Sequence, residues 1–129
     1  MNRVASRALV VLAWLFVACL VVQFFLVGLE IFEALGESEL HRDFAYTYGW
    51  LTPIMVLLAA VANAPRRARV LSVALLVAFA IQTYLPLLAE RAPLVAAVHP
   101  VTALLVVLVA VLFARALPWN PADAGTDGP

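Results

Sequence analysis

Four long stretches of this chain, residues 8–29, 44–62, 70–88 and 94–117, are apolar almost without interruption. Each reaches the ~20 residues that an α-helix needs to cross a hydrocarbon core ~30 Å thick. Such a core offers the backbone no hydrogen-bond partners, so every peptide group must be satisfied inside its own helix and open strand edges are excluded. The connections are short: fourteen residues after the first stretch, seven in "NAPRRAR" and five in "AERAP". Short connections make consecutive helices antiparallel neighbours. The expected fold class is therefore all-α: a polytopic membrane protein built as a four-transmembrane-helix up-down bundle, a single domain over residues 1–117 with the lipid bilayer as its solvent.

Composition excludes the soluble alternatives. Hydrophobic residues make up 66% of the 129 and charged ones 12%, too little polar surface for a domain of this length in water. Formal net charge is zero, which removes the electrostatic basis for nucleic-acid binding. The head "MNRVASR" suits a signal peptide, but the 22-residue apolar run behind it exceeds the usual ~7–15, so the first stretch is expected to stay as a transmembrane helix. The tail, 118–129, holds turn formers and few apolar residues; a disordered cytoplasmic extension is expected there, with Trp119 as an interface anchor.

Arginine asymmetry sets the expected orientation. Arg3, Arg7, Arg66, Arg67, Arg69 and Arg115 fall on one side, Arg42 and Arg91 on the other. The first side should be cytoplasmic, with both termini inside, in the cytoplasmic membrane of a bacterium. The first outer loop then carries Glu30, Glu33, Glu37, Glu39 and Asp43, and the second carries Glu90. Both histidines, His41 and His99, start helices that re-enter from that outer face.

The polar residues near that face repeat. "VVQFFL" in the first stretch resembles "AIQTYL" in the third; Gln23 precedes His41 by 18 residues and Gln82 precedes His99 by 17. Each glutamine is followed by a glutamate, Glu30 or Glu90. In an up-down bundle the second and fourth helices are diagonal partners, so the two histidines can face each other across the core. Small and polar residues at helical spacing support inward faces: Ala96, His99, Ala103, Val106 and Ala110 on the fourth helix, Ala74, Ala78 and Gln82 on the third, and His41, Ala45, Tyr48, Gly49, Thr52 and Ala59 on the second.

Two neutral imidazoles on facing helices can hold a haem iron at its two axial positions. His41 and His99 are thus the candidate metal ligands of a haem b. Ala45, Gly49, Ala96 and Ala103 leave room for the ring, and Arg42 and Arg91 are the outer-side cations for its propionates. Gln23 and Gln82 are candidates to bond a propionate, a quinone carbonyl or a histidine's second nitrogen. The plainer alternative stays open: His41 solvated at the interface, and His99 with both glutamines as interhelical polar contacts of about 0.6 kcal/mol each.

The "HR" pair at His41 and Arg42, with a second histidine entering the fourth helix, resembles one four-helix half of haem A synthase. In that family a glutamate lies three residues before the histidine; here the position is Ser38, with Glu37 and Glu39 beside it. The layout "QFFLVG", "HR", "Q" and "HPVTALL" over residues 8–117 resembles more closely a family of small bacterial four-helix membrane proteins of unknown function, which implies the bundle but no activity.

Other features are given structural expectations. Pro53 should kink the second helix and free the Gly49 carbonyl, and Pro86 should do so more gently at the Gln82 carbonyl, as adjustments of shape. Pro100 fits the first turn of the fourth helix. Cys19, the sole cysteine, excludes an intramolecular disulfide and reads as a small buried hydrophobe. No carboxylate pair lies inside a stretch and no catalytic constellation is present, so binding is expected over catalysis. The functional expectations are a bis-histidine haem-b or quinone site with an electron-transfer or haem-handling role and a membrane redox partner, a cofactor-free accessory subunit of a membrane complex, or a small transporter component.

Overall fold

The computed structural model describes residues 3–32 and 39–118, whose regular elements are all helical, without a strand. Glu33, Glu37, Ser38, Trp119 and the rest of the tail lie outside the described residues. Helix α1 is Arg3–Ile31, α2 Leu40–Gly49, α3 Leu51–Val61 and α4 Arg66–Tyr84, which runs on into a 3₁₀ turn, Leu85–Leu88. A short α5, Pro93–Ala96, leads into α6, His99–Arg115. They form four candidate membrane spans: Arg3–Ile31, Leu40–Val61, Arg66–Leu88 and Pro93–Arg115. Three of them begin several residues before their apolar stretch, because arginine stems can lie along apolar surface while their heads reach water.

Each span packs against its neighbours in sequence, and α1 packs against α6 to close the ring. The second and fourth spans are left diagonal to each other, as an up-down bundle requires. In no span is more than 28% of the most apolar window buried inside the bundle. The remaining aliphatic surface, with Val11, Leu57, Val77 and Leu104 all more than half exposed, needs an apolar solvent.

Two prolines shape the fold. Pro53 has no N–H for the Gly49 carbonyl, and the second span divides near Trp50 into α2 and α3. The Thr52 hydroxyl donates to that Gly49 carbonyl at 2.9 Å, so the break leaves no orphan acceptor. Pro100 sits in the first turn of α6, where a missing N–H costs nothing. Between α3 and α4 the chain reverses through Asn63 at φ 48°. The N–H of Ala64 bonds the Ala59 carbonyl at 2.9 Å and that of Asn63 the Ala60 carbonyl at 3.0 Å, the paired bonds of a Schellman ending with asparagine in the left-handed position.

The core fills the half of the bundle nearer the arginines. Leu9, Ala13, Met55, Ala59, Ala68, Ala110 and Phe113 are buried there. Above them Phe16, Tyr48 and Phe79 meet in a triangle of edge contacts, with centroids 5.3, 5.5 and 5.6 Å apart. Gly49 belongs to this layer: a Cβ there would fall 2.7 Å from Phe79 Cε1. Its missing side chain makes room for Phe79, not for a cofactor ring. The buried stripe of α4 is Ala68, Ser72, Leu75 and Phe79. The expected stripe through Ala74 and Ala78 is rotated from it, and Ala74 is exposed. Ser72 can enter the core because its hydroxyl donates to the Arg69 carbonyl at 2.8 Å.

Candidate functional site

At the end opposite the arginine cluster, α1 carries Gln23 and Glu30, seven residues and so about two turns apart on one face. Both reach His41 in the first turn of α2. The Gln23 amide donates from Nε2 to the His41 carbonyl at 2.8 Å. The two Glu30 oxygens divide between the His41 backbone N–H, at 3.3 Å, and the ring nitrogen Nδ1. A carboxylate in this role accepts, so the proton of the neutral ring sits on Nδ1 and its Nε2 keeps the lone pair. Glu30 is sheltered, with 19% of its side chain exposed, against 36% for His41.

The third and fourth spans build a second histidine site from different parts. Pro86 has no N–H to give to the carbonyl of Gln82, one turn earlier. His99 Nδ1 donates to that carbonyl at 3.0 Å, which again places the ring proton on Nδ1. The expectation that Pro86 only adjusts shape is corrected: the carbonyl it frees orients an imidazole. The Gln82 side chain turns back on the same ring, its Nε2 lying 3.1 Å from His99 Nε2. Gln82 Oε1 accepts from the Thr102 hydroxyl, whose one proton can also go to the His99 carbonyl at 3.0 Å.

Both histidines line one cavity of about 290 Å³. Helix α1 contributes Leu20, Gln23, Phe24 and Val27, and α2 contributes His41, Arg42, Ala45, Tyr46 and Tyr48. The other wall is Phe79, Gln82, Thr83, Pro86 and Leu87, with His99, Ala103 and Val106 from α6. Tyr48 and Phe79 of the aromatic triangle form its floor. Within this wall Gln23 Oε1 is buried and has no hydrogen-bond partner among the described residues. Its orientation follows from chemistry, since the His41 carbonyl can only accept and so must face the amide nitrogen.

Of the six expected site residues, His41, His99, Gln23, Gln82 and Arg42 meet at the cavity. Arg42 stands exposed at the mouth, bonded to the Glu39 carboxylate and 3.4 Å from Asp43. Arg91 is exposed and not part of the wall. Ala45 and Ala103 face the cavity, whereas Ala96 lies outside it. Among the described residues no three His, Cys, Asp or Glu side chains come together as metal ligands.

Residues 23–91 match DUF6220, a family of unknown function. The matched segment is more than half of the chain. The chain belongs to this family. Within the DUF6220 segment lie Gln23, Glu30, His41, Arg42 and Gln82, while His99 follows it. No curated protein and no solved structure matches the chain.

The sequence pattern named the histidines and glutamines of this DUF6220 chain but missed two partners. Glu30 stands at the boundary without a role in the sequence pattern, and its eleven-residue separation from His41 carries no helical periodicity because the two lie on different helices. Thr102 had a usable signal, since it lies three residues after His99 and thus on the same face of α6. The repeated glutamine and histidine spacing is accompanied by pairing within each half, but with different chemistry. Glu30 anchors one imidazole, whereas Glu90, at the corresponding place, is exposed.

Proposed function

We propose that this multi-pass membrane protein holds a haem b at its histidine end, with His41 and His99 as axial ligands and electron transfer as its role. The observation that carries this reading is the common arrangement of the two imidazoles. Each faces the same cavity and commits its Nδ1 proton to an acceptor, Glu30 or the Gln82 carbonyl, which leaves Nε2 as the ligating nitrogen. Histidines that bind metals almost always give their other N–H to a carboxylate or carbonyl. A porphyrin brings four of its iron's ligands, so two histidines suffice where a bare ion would need a larger protein cluster.

The surroundings support the same reading. The walls are largely apolar, and Ala45 and Ala103 leave space beside the imidazoles. Arg42 at the mouth can exchange Glu39 for a haem propionate. The Gln82 amide, now on His99 Nε2, has to swing aside to free that lone pair. With both axial positions taken by histidine, no site is left to activate oxygen, which favours electron transfer with a membrane redox partner. The arginine bias supports an orientation with both termini in the cytoplasm and the haem near the outer face of the cytoplasmic membrane. The likeness to a haem A synthase half supports the bundle logic alone.

A second reading, a quinone-class ligand, is favoured by Gln23 Oε1. This acceptor without a donor suits a hydroquinone hydroxyl better than a carboxylate.

The test is a reduced-minus-oxidised absorption spectrum of the purified full chain, expressed with ample haem. A low-spin b-type spectrum is expected for the wild type and is lost in His41→Ala and in His99→Ala. A wild type without haem, or haem retained in both variants, removes the haem reading. Tighter binding of a short-chain hydroquinone than of its quinone, weakened in Gln23→Leu, would then favour the second.

A further inference from the structure

Glu30 and His99's partners treat the two imidazoles unequally. On one side the Nδ1–H meets a carboxylate, with a full negative charge; on the other it meets a neutral peptide carbonyl. The Glu30 carboxylate also takes the backbone N–H of His41 at 3.3 Å, and Gln23 holds the carbonyl of the same residue at 2.8 Å. His41 is therefore fixed to α1 at its ring and at both of its peptide groups.

We infer that Glu30 is a positioning residue that sets the reduction potential of the haem, acting through the Nδ1–H of His41. The inference rests on the haem reading above. A carboxylate on Nδ1–H draws the proton toward itself and makes Nε2 a stronger electron donor. Ferric haem carries one positive charge more than ferrous haem, so both the stronger ligand and the nearby negative charge stabilise the ferric state. Solvent screening weakens such an effect for exposed groups, and among the described residues Glu30 is the sheltered acid of this end, whereas Glu39, Asp43 and Glu90 are exposed. The Arg42 charge at the mouth is met by Glu39 and Asp43 and does not neutralise Glu30. His41 is thus the strong axial ligand and His99 the weaker one.

The experiment is a potentiometric titration of the haem-loaded full chain. Glu30→Gln keeps an acceptor for the Nδ1–H and removes the charge, at the cost of the longer 3.3 Å bond from the His41 backbone N–H. The expected result is a shift of about tenfold toward ferrous haem, a rise of about 59 mV for one electron. Glu90→Gln, the same change at an exposed position, leaves the midpoint where it was. A wild type that loads haem, with a midpoint unchanged in Glu30→Gln, overturns the inference and leaves the haem reading standing. A wild type that loads no haem overturns both. Should Glu30→Gln fail to load, Glu30→Asp decides, since it keeps the charge on a shorter arm. A smaller rise supports the inference, and an unchanged or lowered midpoint overturns it.

Discussion

His99 Nδ1 donates at 3.0 Å to the Gln82 carbonyl, the very carbonyl that Pro86 leaves without a helical donor. A residue lacking an N–H thereby orients a side chain thirteen positions further along the chain. In lipid this matters, because an unpaired carbonyl cannot turn to water.

Replacing Pro86→Ala supplies an N–H one turn after Gln82, and that donor competes with the imidazole. The net worth of such a bond is about 1 kcal/mol, enough to change the tautomer populations several-fold. Nitrogen-15 spectra of labelled His99 should show one Nδ1–H form in the wild type and a mixture in the variant. A single unchanged form in the variant would mean that the proline does not set the ring.

Gly49→Ala puts a methyl group where the ring of Phe79 lies, 2.7 Å from Cε1. The ring cannot retreat freely, being wedged against Phe16 and Tyr48. Overpacking of this kind costs about 1–3 kcal/mol. Reversible unfolding in mixed micelles should register that loss, and wild-type stability in the variant would contradict the close packing.

Thr52→Val keeps the shape and removes the hydroxyl that bonds the Gly49 carbonyl, with Thr52 itself 2% exposed. The bare carbonyl costs about 1–3 kcal/mol. The paired change Pro53→Ala returns a backbone N–H to that carbonyl, so the double variant should recover part of the loss in the same unfolding assay. Additive losses would show that the two residues do not share an acceptor.

Orientation is open to a direct chemical test. In a Cys19→Ala background, Asn63→Cys marks the α3–α4 turn and Ala89→Cys the histidine end, both at exposed positions. An impermeant thiol reagent added to intact cells should label the second and spare the first, as the arginine bias requires. The reverse pattern would place the histidines on the cytoplasmic side.

Much of this architecture was legible because lipid imposes so few choices. Apolar length alone marked the four spans, and the missing N–H of Pro53 and Pro86 pointed to the carbonyls of Gly49 and Gln82. What answered those carbonyls was not legible, since helical periodicity gives a face but not the rotation of one helix against the next. Gly49 shows the difference. Its place on an inward face was readable, yet whether it opens onto a ligand or onto Phe79 depends on a rotation that only packing decides. Glu30 was hidden for another reason, because the path of the chain between α1 and α2 determines whether it reaches His41.

The way the glutamines pair has a consequence for how the chain enters a membrane. Gln23 and Glu30 satisfy His41 within the first helical hairpin, and Gln82 with Thr102 satisfies His99 within the second. Neither hairpin borrows a polar partner from the other for these bonds. Each can be released into the bilayer with its histidine already covered, so assembly of the halves brings two finished units together and shapes the cavity between them last.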